Sequence, residues 1–386
     1  MDTSGYDRPV STRAVSSARP AFPPGEWLVA ALIFLIGSVV RIITLGAVAR
    51  ANDDDLAGLL TKWDAQYYLA IAESGYFDAD LGTDVPVHER TLAFFPGFPA
   101  LVRLLHEVTG LDFPVAAMLV NVVAGTAMTA GAMAIAARMG AGLSGRIGAG
   151  ILVSCAPMAI TFSMPYSEAL FGALAFWALL ALMDRRWWLA GILILACGFT
   201  RLTAVALIAV FLVVVLLHAR RDWRAWAALA LTPWSIFGYV IYASIPTWDA
   251  GGYFGIQEQG WSSGVDLGRA TVTWVWEVLT TSDEAGYLLS VGVMVASVIA
   301  LAAAWRRVPW EVWLFSAALM ATVLLSDGIM HSRPRLLMPA VILLLPWVLF
   351  IVRRWPRGWQ LAAATGWVLF GAWFSAYLLG VFPWAI

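Results

Sequence analysis

The sequence predicts an all-α polytopic membrane protein. Of its 386 residues, 61% are hydrophobic and only 13% are charged, about half the charged share of a soluble domain; the mean hydropathy is +0.78. Apolar runs close to the ~20 residues that cross a bilayer recur from Trp27 to the C-terminus, which excludes a single anchor. Because these runs are continuous and do not alternate with polar residues, they favour helices over a transmembrane β-barrel.

About eleven transmembrane helices follow from these runs. Residues 92–106 contain two prolines, Arg103 and a terminal His, so we interpret them as an interfacial or re-entrant piece, with a twelfth span as the alternative. The eleven predicted spans are residues 27–49, 113–137, 147–162, 166–183, 187–199, 202–217, 223–245, 287–305, 308–325, 336–352 and 359–384.

The chain divides into a tail and one transmembrane domain. Residues 1–24 are rich in Ser, Arg and Pro and predict a disordered cytoplasmic tail; the apolar run that follows is too long for a cleaved signal peptide. Residues 25–386 form the domain. Its two long loops, residues 50–112 and 246–286, exceed an ordinary connection and are expected to be functional. No internal repeat is visible.

Basic residues predict the orientation, since cytoplasmic loops carry an excess of Lys and Arg. With the N-terminus inside, the eleven spans place most basic clusters on the cytoplasmic side and both long loops outside. We therefore expect an integral plasma-membrane protein with a cytoplasmic N-terminus and an extracytoplasmic site. The cytoplasmic clusters are Arg8/Arg13/Arg19, Arg138/Arg146, Arg185/Arg186, Arg220/Arg221/Arg224, Arg306/Arg307 and Arg353/Arg354/Arg357.

Asp64 is the first candidate catalytic residue. It lies in an aromatic stretch, residues 63–76, directly after the first predicted span. A helix beginning near position 63 would place residues 63, 67, 70, 71 and 74 on one apolar face suited to the membrane surface, with Asp64 beside that face. A carboxylate next to a headgroup pocket can accept a proton from an acceptor hydroxyl. The alternative is a simple N-cap, with Lys62 as an ion-pair partner.

Other acidic and sulfur-containing residues give weaker indications. Asp53, Asp54 and Asp55 are weak candidates for a divalent cation site, although a solvated acidic run is the commoner explanation. Cys155 and Cys197 lie in apolar runs and indicate neither a disulfide nor a zinc site. The net charge of −1 and the absence of a basic run give no indication of nucleic-acid binding.

Glu168 and Arg201 interrupt apolar sequence at predicted span ends. Glu168 is consistent either with a favourable charge at a helix start or with an acid that lines a polar cavity. Arg201 divides a long apolar stretch, where an unpaired charge is expensive. The alternative for Arg201 is a tight external turn from which the side chain snorkels to water.

Two further segments combine groups suited to a phosphorylated sugar. Arg333 and Arg335 carry guanidinium forks that match a phosphate, and His331 is their neighbour. The segment 253–261 combines aromatic rings with the amide of Gln257 and ends at Trp261, a combination that suits a sugar ring. For this segment, an interfacial aromatic belt is the alternative.

The order of these motifs resembles the GPI mannosyltransferase II (PIG-V-like) family of GT-C glycosyltransferases, over most of the chain from about residue 27. The motifs are Trp63-Asp64 with its helix to Gly75-Tyr76, Phe94-Phe95-Pro96-Gly97-Phe98-Pro99, Pro165-Tyr166-Ser167-Glu168-Ala169-Leu170-Phe171, Gly198-Phe199-Thr200-Arg201, Tyr253-Phe254 with Gln257 and Trp261, and residues 333–339.

The resemblance implies a GT-C-like fold and an inverting transferase that uses a polyprenyl-phosphate sugar, most simply mannose, at the extracytoplasmic face. Asp64 would be the general base. Four residues would hold the donor phosphate, and four would contact the sugar or the acceptor. The implied phosphate-binding residues are Arg333, Arg335, Arg201 and His331, and the implied sugar- or acceptor-binding residues are Glu168, Gln257, Tyr68 and Trp261.

The resemblance also bears on cofactors and acceptors. A single donor phosphate can be held by arginines, so no cofactor is required, although a divalent cation stays possible. The Arg-rich composition, with Lys62 as the sole Lys, is typical of a bacterial protein, which would lack a GPI pathway. The expected partners are the donor, a lipid or glycan acceptor and membrane lipids.

Two other function classes compete with the enzyme. A transporter or flippase of a lipid-linked sugar would use the same arginines and aromatic residues without covalent chemistry, but it typically places charges on broken helices at mid-membrane and contains repeated halves. A structural partner in a membrane complex would leave the grouping of Asp64, Glu168 and the arginines on one side unexplained.

Overall fold

The fold is helical throughout the residues that the computed structural model describes, which are 23–82 and 84–385. The predicted tail lies outside these residues except for its last two positions. The described α-helices are α1 Pro24–Ala51, α2 Leu56–Leu60, α3 Asp64–Ser74, α4 His88–Thr91, α5 Gly97–Thr109, α6 Phe113–Arg138, α7 Leu143–Ser154, α8 Glu168–Met183, α9 Trp187–Gly198, α10 Val205–His218, α11 Trp223–Leu231, α12 Trp234–Ser244, α13 Gly252–Trp261, α14 Arg269–Thr281, α15 Ala285–Ala303, α16 Trp310–Leu324, α17 Arg333–Leu336, α18 Leu345–Arg354 and α19 Arg357–Gly380. Short 3-10 helices cover Ala159–Ser163, Leu202–Ala204, Trp248–Ala250, Met330–Ser332 and Met338–Leu344.

Apolar helices confirm a polytopic membrane protein. Five are long and apolar enough to cross a bilayer: α1, α6, the α11–α12 pair, α15 and α19. A sixth candidate is the pair Met330–Leu336 and Met338–Arg354, which bends by 61°. The remaining predicted spans coincide with apolar helices of 10–17 residues. Each of the eleven predicted segments therefore has a helical counterpart, while the count of eleven crossings stays a prediction.

The predicted span at residues 147–162 is broken in the structure. Helix α7 ends at Ser154, and residues 155–167 are non-helical apart from one 3-10 turn. Pro157 explains the break, because proline has no N–H to donate and disfavours helical geometry in the preceding residue. Met158 then adopts a φ of 69°, which turns the chain away from the helix axis. This break places residues 166 and 167 against α3 of the first long loop.

Side chains from neighbouring helices satisfy the backbone of this broken segment. Arg41 of α1 donates to the Ser154 carbonyl at 2.6 Å, and Asn121 of α6 donates to the Met164 carbonyl at 2.5 Å. The Ile160 N–H donates to Ser375 of α19 at 3.3 Å. Non-helical backbone at membrane depth is stable only when protein groups satisfy it in this way. Arg41 is 2% exposed and therefore serves as a buried polar support.

The first long loop is a packed helical layer rather than a set of helices lying on the membrane. We expected residues 67 and 71 to face lipid, but α3 buries Ala65, Tyr68, Ile71 and Ala72, and its most exposed residues are polar. The expectation was wrong because α4, α5 and α6 pack against α3. Within residues 92–106, α5 is a 13-residue amphipathic helix beginning at Gly97, which fits the interfacial interpretation better than a twelfth span.

Two apolar clusters organise the packing. The larger joins the membrane helices: α1 packs against α19 and α6, and α6 packs against α8. The smaller is rich in aromatic residues from the first long loop, α12 and α13, and includes Tyr68, Phe94, Phe95, Tyr239 and Tyr253. The site lies where these two clusters meet.

Candidate functional site

One cleft of about 630 Å³ collects residues from five segments of the chain. Its walls come from α3, the Phe94-Phe95 turn, the start of the α10 region, α13 with the residues after it, and residues 322–336. A bridge between Val265 and Ser326 and a hydrogen bond from the Asp327 N–H to the Gly264 carbonyl at 2.6 Å tie the second long loop to the end of α16. The seven predicted site residues that line the cleft are Asp64, Tyr68, Arg201, Gln257, Trp261, Arg333 and Arg335.

Asp64 pairs with Arg335 at the bottom of this cleft. It is the first residue of α3, and Trp63 holds the N-cap position. The carboxylate does not cap its own helix; its Oδ2 lies 2.6 Å from Arg335 Nη2. The Asp64 side chain is 16% exposed, so it remains accessible from the cleft. The alternative of a simple N-cap with a Lys62 partner therefore does not describe this carboxylate.

The backbone before Asp64 is strained. Trp63 has φ 60° and ψ −129°, a conformation that bulky residues rarely adopt. Such a residue costs about 1–3 kcal/mol and persists only where the surroundings enforce it. Here the Asp64 N–H donates to the Tyr166 hydroxyl at 3.2 Å, and Trp63 packs against the larger core cluster. These contacts hold Trp63 in the strained conformation, which sets the residue at which α3 begins and the direction of the Asp64 side chain.

Glu168 extends the pair into a network of four charges. It is the first residue of α8; its Oε1 lies 2.6 Å from Arg201 Nη1 and 3.9 Å from Arg335 Nε. Two carboxylates and two guanidiniums thus alternate along the chain of contacts Asp64, Arg335, Glu168, Arg201. Their formal charges cancel, which makes the burial of all four groups tolerable.

The network is incompletely hydrogen-bonded. Arg335 Nη1 and both Glu168 oxygens are buried and make no hydrogen bond of acceptable geometry within the described residues, despite the short Glu168–Arg201 distance. Buried charged groups of this kind are costly when unsatisfied. An anion that reached Arg335 and Arg201 through the cleft would supply acceptors to both guanidiniums. The arrangement is therefore chemically suited to a phosphate.

Tyr68 supports Arg201 through Ser167. Its hydroxyl lies 2.9 Å from Ser167 Oγ, which accepts a hydrogen bond from Arg201 Nη1 at 3.4 Å. Burial raises the pKa of Tyr68 to about 12, so the hydroxyl stays protonated at neutral pH. Tyr68 is therefore a neutral hydrogen-bonding group at the cleft and not a proton acceptor.

An aromatic wall forms the opposite side of the cleft. The Trp261 ring packs edge-on against Phe94 and Tyr67, with centroid distances of 5.3 and 5.8 Å. Gln257 donates to the Ala93 carbonyl at 2.8 Å and to the Tyr253 hydroxyl at 3.1 Å. The Gln257 amide nitrogen thus holds the Phe94 turn in place, and this wall presents apolar faces beside a few polar atoms.

Arg333 and His331 are placed differently from Arg335. Arg333 lines the cleft, but the residue is only 2% exposed, and its guanidinium donates to Thr271 Oγ1 and to the Ser326 carbonyl. It therefore connects α14 to the end of α16. His331 is not among the cleft residues, and its ring lies 5.5 Å from both the Tyr287 and Phe382 rings. Of His331, Arg333 and Arg335, Arg335 is the residue that contacts the carboxylates of Asp64 and Glu168.

The acidic run at residues 53–55 lies outside the cleft. Asp55 caps α2, since its carboxylate accepts from the Ala57 and Gly58 N–H groups at 3.2 and 2.8 Å. Among residues 23–82 and 84–385, no three His, Cys, Asp or Glu side chains converge to form a metal-binding group. Asp53 to Asp55 therefore stay weak candidates, and the role of a divalent cation is untested.

Sequence reasoning assigned no role to Tyr166 and Ser167. Both are fully buried, and they contact Asp64, Arg201 and Tyr68. Their position directly before Glu168, within the motif 165–171, could have indicated a role in the site. Its meaning was hidden because the predicted span began at residue 166, which made Tyr166 an ordinary membrane-facing aromatic residue.

Comparison with known proteins points to one family. Residues 38–222, just under half of the chain, match the family described as mannosyltransferase (PIG-V). This part of the chain is therefore similar to the PIG-V-like mannosyltransferases. The family match includes Asp64, Tyr68, Glu168 and Arg201, while Arg335 lies beyond it. The tertiary structure therefore joins the matched segment to residues beyond it through the charge network.

Three curated relatives carry the same description, GPI alpha-1,6-mannosyltransferase 2. The Mus musculus protein is 32% identical over 155 residues, 38% of this chain and 29% of that protein. The Rattus norvegicus protein is 32% identical over 168 residues (41% and 32%), and the Cricetulus griseus protein is 32% identical over 149 residues (36% and 28%). The chain spans less than a third of the length of these relatives.

Proposed function

We propose that this protein is an inverting mannosyltransferase. It moves a mannosyl residue from a polyprenyl-phosphate-mannose donor to a hydroxyl of a lipid-linked or surface acceptor, at the extracytoplasmic face of the plasma membrane. The observation that carries the proposal is the Asp64–Arg335–Glu168–Arg201 network at the bottom of the 630 Å³ cleft. The family match over residues 38–222 supports the mannosyl group.

The phosphate of the donor lies at Arg335, with Arg201 as the second cation. As the bond between the sugar C1 and the phosphate oxygen breaks, negative charge accumulates on the phosphate. Guanidinium groups already fixed at that position stabilise this charge without reorganisation at the moment of reaction. Arg333 supports the same wall, and its hydrogen bonds to Thr271 and Ser326 keep that wall in place. A single phosphate needs no metal under this scheme.

Asp64 is the general base. The acceptor oxygen forms a bond to C1 from the side opposite the phosphate, which inverts the configuration, and its proton passes to the Asp64 carboxylate. A positioned base of this kind contributes about 10²–10⁴-fold to the rate. Glu168 keeps Arg201 and Arg335 oriented; Tyr68, Gln257 and Trp261 face the sugar and the acceptor from the cleft walls.

A transporter of a lipid-linked sugar is the second candidate, and one observation favours it. The helix pair Met330–Leu336 and Met338–Arg354 bends by 61° and carries Arg333 and Arg335 beside the bend, and broken helices with charges occur at transporter sites. The transfer reaction separates the two candidates, because a transporter forms no new glycosidic bond.

The test uses the purified protein in detergent with polyprenyl-phosphate-mannose and a lipid extract from its host. Transfer of labelled mannose to a lipid-soluble product, and its loss in Asp64→Asn with normal expression and folding, is the expected result. Transfer by Asp64→Asn at the wild-type rate would refute the base assignment. Absence of turnover with any polyprenyl-phosphate sugar, together with movement of the intact lipid between leaflets of a vesicle, would favour the transporter.

A further inference from the structure

We propose that Tyr166 is the positioning residue of this site, and that it fixes both members of the Asp64–Arg335 pair through two different parts of its side chain. The inference rests on the proposed function, since it specifies how the proposed base and phosphate-binding arginine are held. Three observations carry it: one hydrogen bond, one ring contact and one strained backbone conformation.

The hydroxyl of Tyr166 holds Asp64. It accepts the Asp64 N–H at 3.2 Å, at the first residue of α3, where a helix has no internal acceptor for that N–H. The residue before Asp64 has a φ of 60°, which a tryptophan adopts only under constraint. The bond therefore fixes the start of α3 in a conformation that the local sequence would not choose.

The ring of Tyr166 holds Arg335. The guanidinium carbon lies 5.2 Å from the ring centroid, within the range of a cation–π contact. Tyr166 is fully buried and follows the non-helical segment 155–164, which Arg41 and Asn121 support through the Ser154 and Met164 carbonyls. Its position is thus determined by contacts from the apolar helices α1 and α6.

Together these contacts connect the membrane core to the reaction centre. Asp64 comes from the first loop and Arg335 from the bent helix pair, and besides their own ion pair both contact Tyr166. Ser167 and Glu168, the next two residues, contact Arg201. One short segment, residues 166–168, therefore orients the base and both candidate phosphate-binding cations.

Two substitutions separate the two contacts. Tyr166→Phe removes the hydroxyl and keeps the ring, so kcat should fall by about tenfold, the loss expected for one ordinary hydrogen bond, while the KM for the donor stays within about twofold. Tyr166→Leu removes the ring as well, so the donor KM should rise in addition. A residue with a merely structural role would lower the amount of folded protein without this division between kcat and KM.

Tyr76→Phe is the matched control. It removes a hydroxyl that donates to the Phe94 carbonyl at 3.0 Å, and that carbonyl keeps a second donor, the Tyr239 hydroxyl at 2.5 Å. Tyr76 is not among the cleft residues, so its kcat should stay within about twofold of wild type. The unfolding temperature of Tyr76→Phe measures how much stability the protein loses when one tyrosine hydroxyl is removed.

The double variant Asp64→Asn with Tyr166→Phe completes the test, with mannosyl transfer measured over long incubations. If Tyr166 acts through Asp64, the double variant transfers mannose at the rate of Asp64→Asn alone. Unchanged kcat in Tyr166→Phe, or a further tenfold loss in the double variant, would overturn the inference while leaving the proposed function intact. A wild-type protein without transfer activity would overturn the proposed function itself.

Discussion

Replacing Asp64 by Asn should slow transfer by about 10²–10⁴-fold and at the same time tighten the binding of the donor phosphate. In the structure, Asp64 Oδ2 forms an ion pair with Arg335 Nη2 at 2.6 Å. A phosphate that approaches Arg335 must therefore displace a carboxylate that already neutralises it, and must also tolerate the negative charge of that carboxylate. The neutral amide of Asn removes both penalties. Loss of the catalytic base and gain of affinity are thus expected from one substitution.

The size of the gain follows from the geometry. Two unit charges about 4 Å apart near a protein surface attract with about 4 kcal/mol. Only part of this is recovered, because Glu168 still lies 3.9 Å from Arg335 and continues to neutralise it. Asp64 is also 16% exposed, so water screens the pair. We expect a gain of about 1.4 kcal/mol, which is a tenfold lower dissociation constant.

The assay measures binding of polyprenyl phosphate, the proposed leaving group, to wild type and variant in the same detergent. Using the unreactive product keeps the measurement independent of turnover. Asp78→Asn is the control, since Asp78 is an exposed carboxylate of the same loop and lies outside the cleft. Weaker binding by Asp64→Asn than by wild type would refute the reasoning and would indicate that Asp64 helps to hold the phosphate, as a ligand of a bridging cation would.

Three further predictions concern stability. Gly97→Ala should lower the free energy of unfolding by about 1–3 kcal/mol, because the added Cβ would lie 2.7 Å from the Phe199 carbonyl oxygen; an unchanged unfolding midpoint would contradict this. Arg333→Met should also lower the free energy of unfolding by about 1–3 kcal/mol, since the Ser326 carbonyl loses its hydrogen-bond donor. A raised KM for the sugar donor with unchanged thermal stability would show direct phosphate binding instead. Backbone N–H groups at the start of α14 lower the pKa of Asp266 in the folded protein. The Asp266 carboxylate therefore stabilises the fold above its unfolded pKa of about 4, and this stabilisation is lost as the pH falls from that value through the folded pKa. Asp266→Asn should lack this pH dependence in unfolding curves measured from pH 7 to pH 3.

Hydropathy made the membrane class predictable. Each of the eleven apolar segments has a helical counterpart, because burial of apolar residues in lipid depends on local composition more than on partners. Helix breaks were less predictable. Pro157 lay inside a predicted span, and its effect depended on whether neighbouring helices could satisfy the freed carbonyls, which Arg41 and Asn121 do from other parts of the chain.

The candidate site was predictable as a set of residue types and not as an arrangement. The cost of a charge near lipid identified Glu168 and Arg201, the aromatic stretch identified Asp64, and the match of a guanidinium to a phosphate identified Arg335. Their pairing was not predictable, because the spacing of residues along the chain does not determine which loops meet. The contact of Tyr166 was equally unpredictable. Nothing in its local sequence distinguishes a hydroxyl that accepts a hydrogen bond from Asp64 from one that lies at a membrane interface.

The sequence by itself determined that the chain is a polytopic helical membrane protein whose polar residues are confined to a few segments, because a bilayer leaves a charged side chain few inexpensive positions. Only the tertiary structure decided that Arg335 pairs with Asp64 and that Arg333 supports the cleft wall. The physical reason is that opposite charges in a low-dielectric environment select partners by distance in space. That distance is set by helix packing and by the bend between α17 and α18.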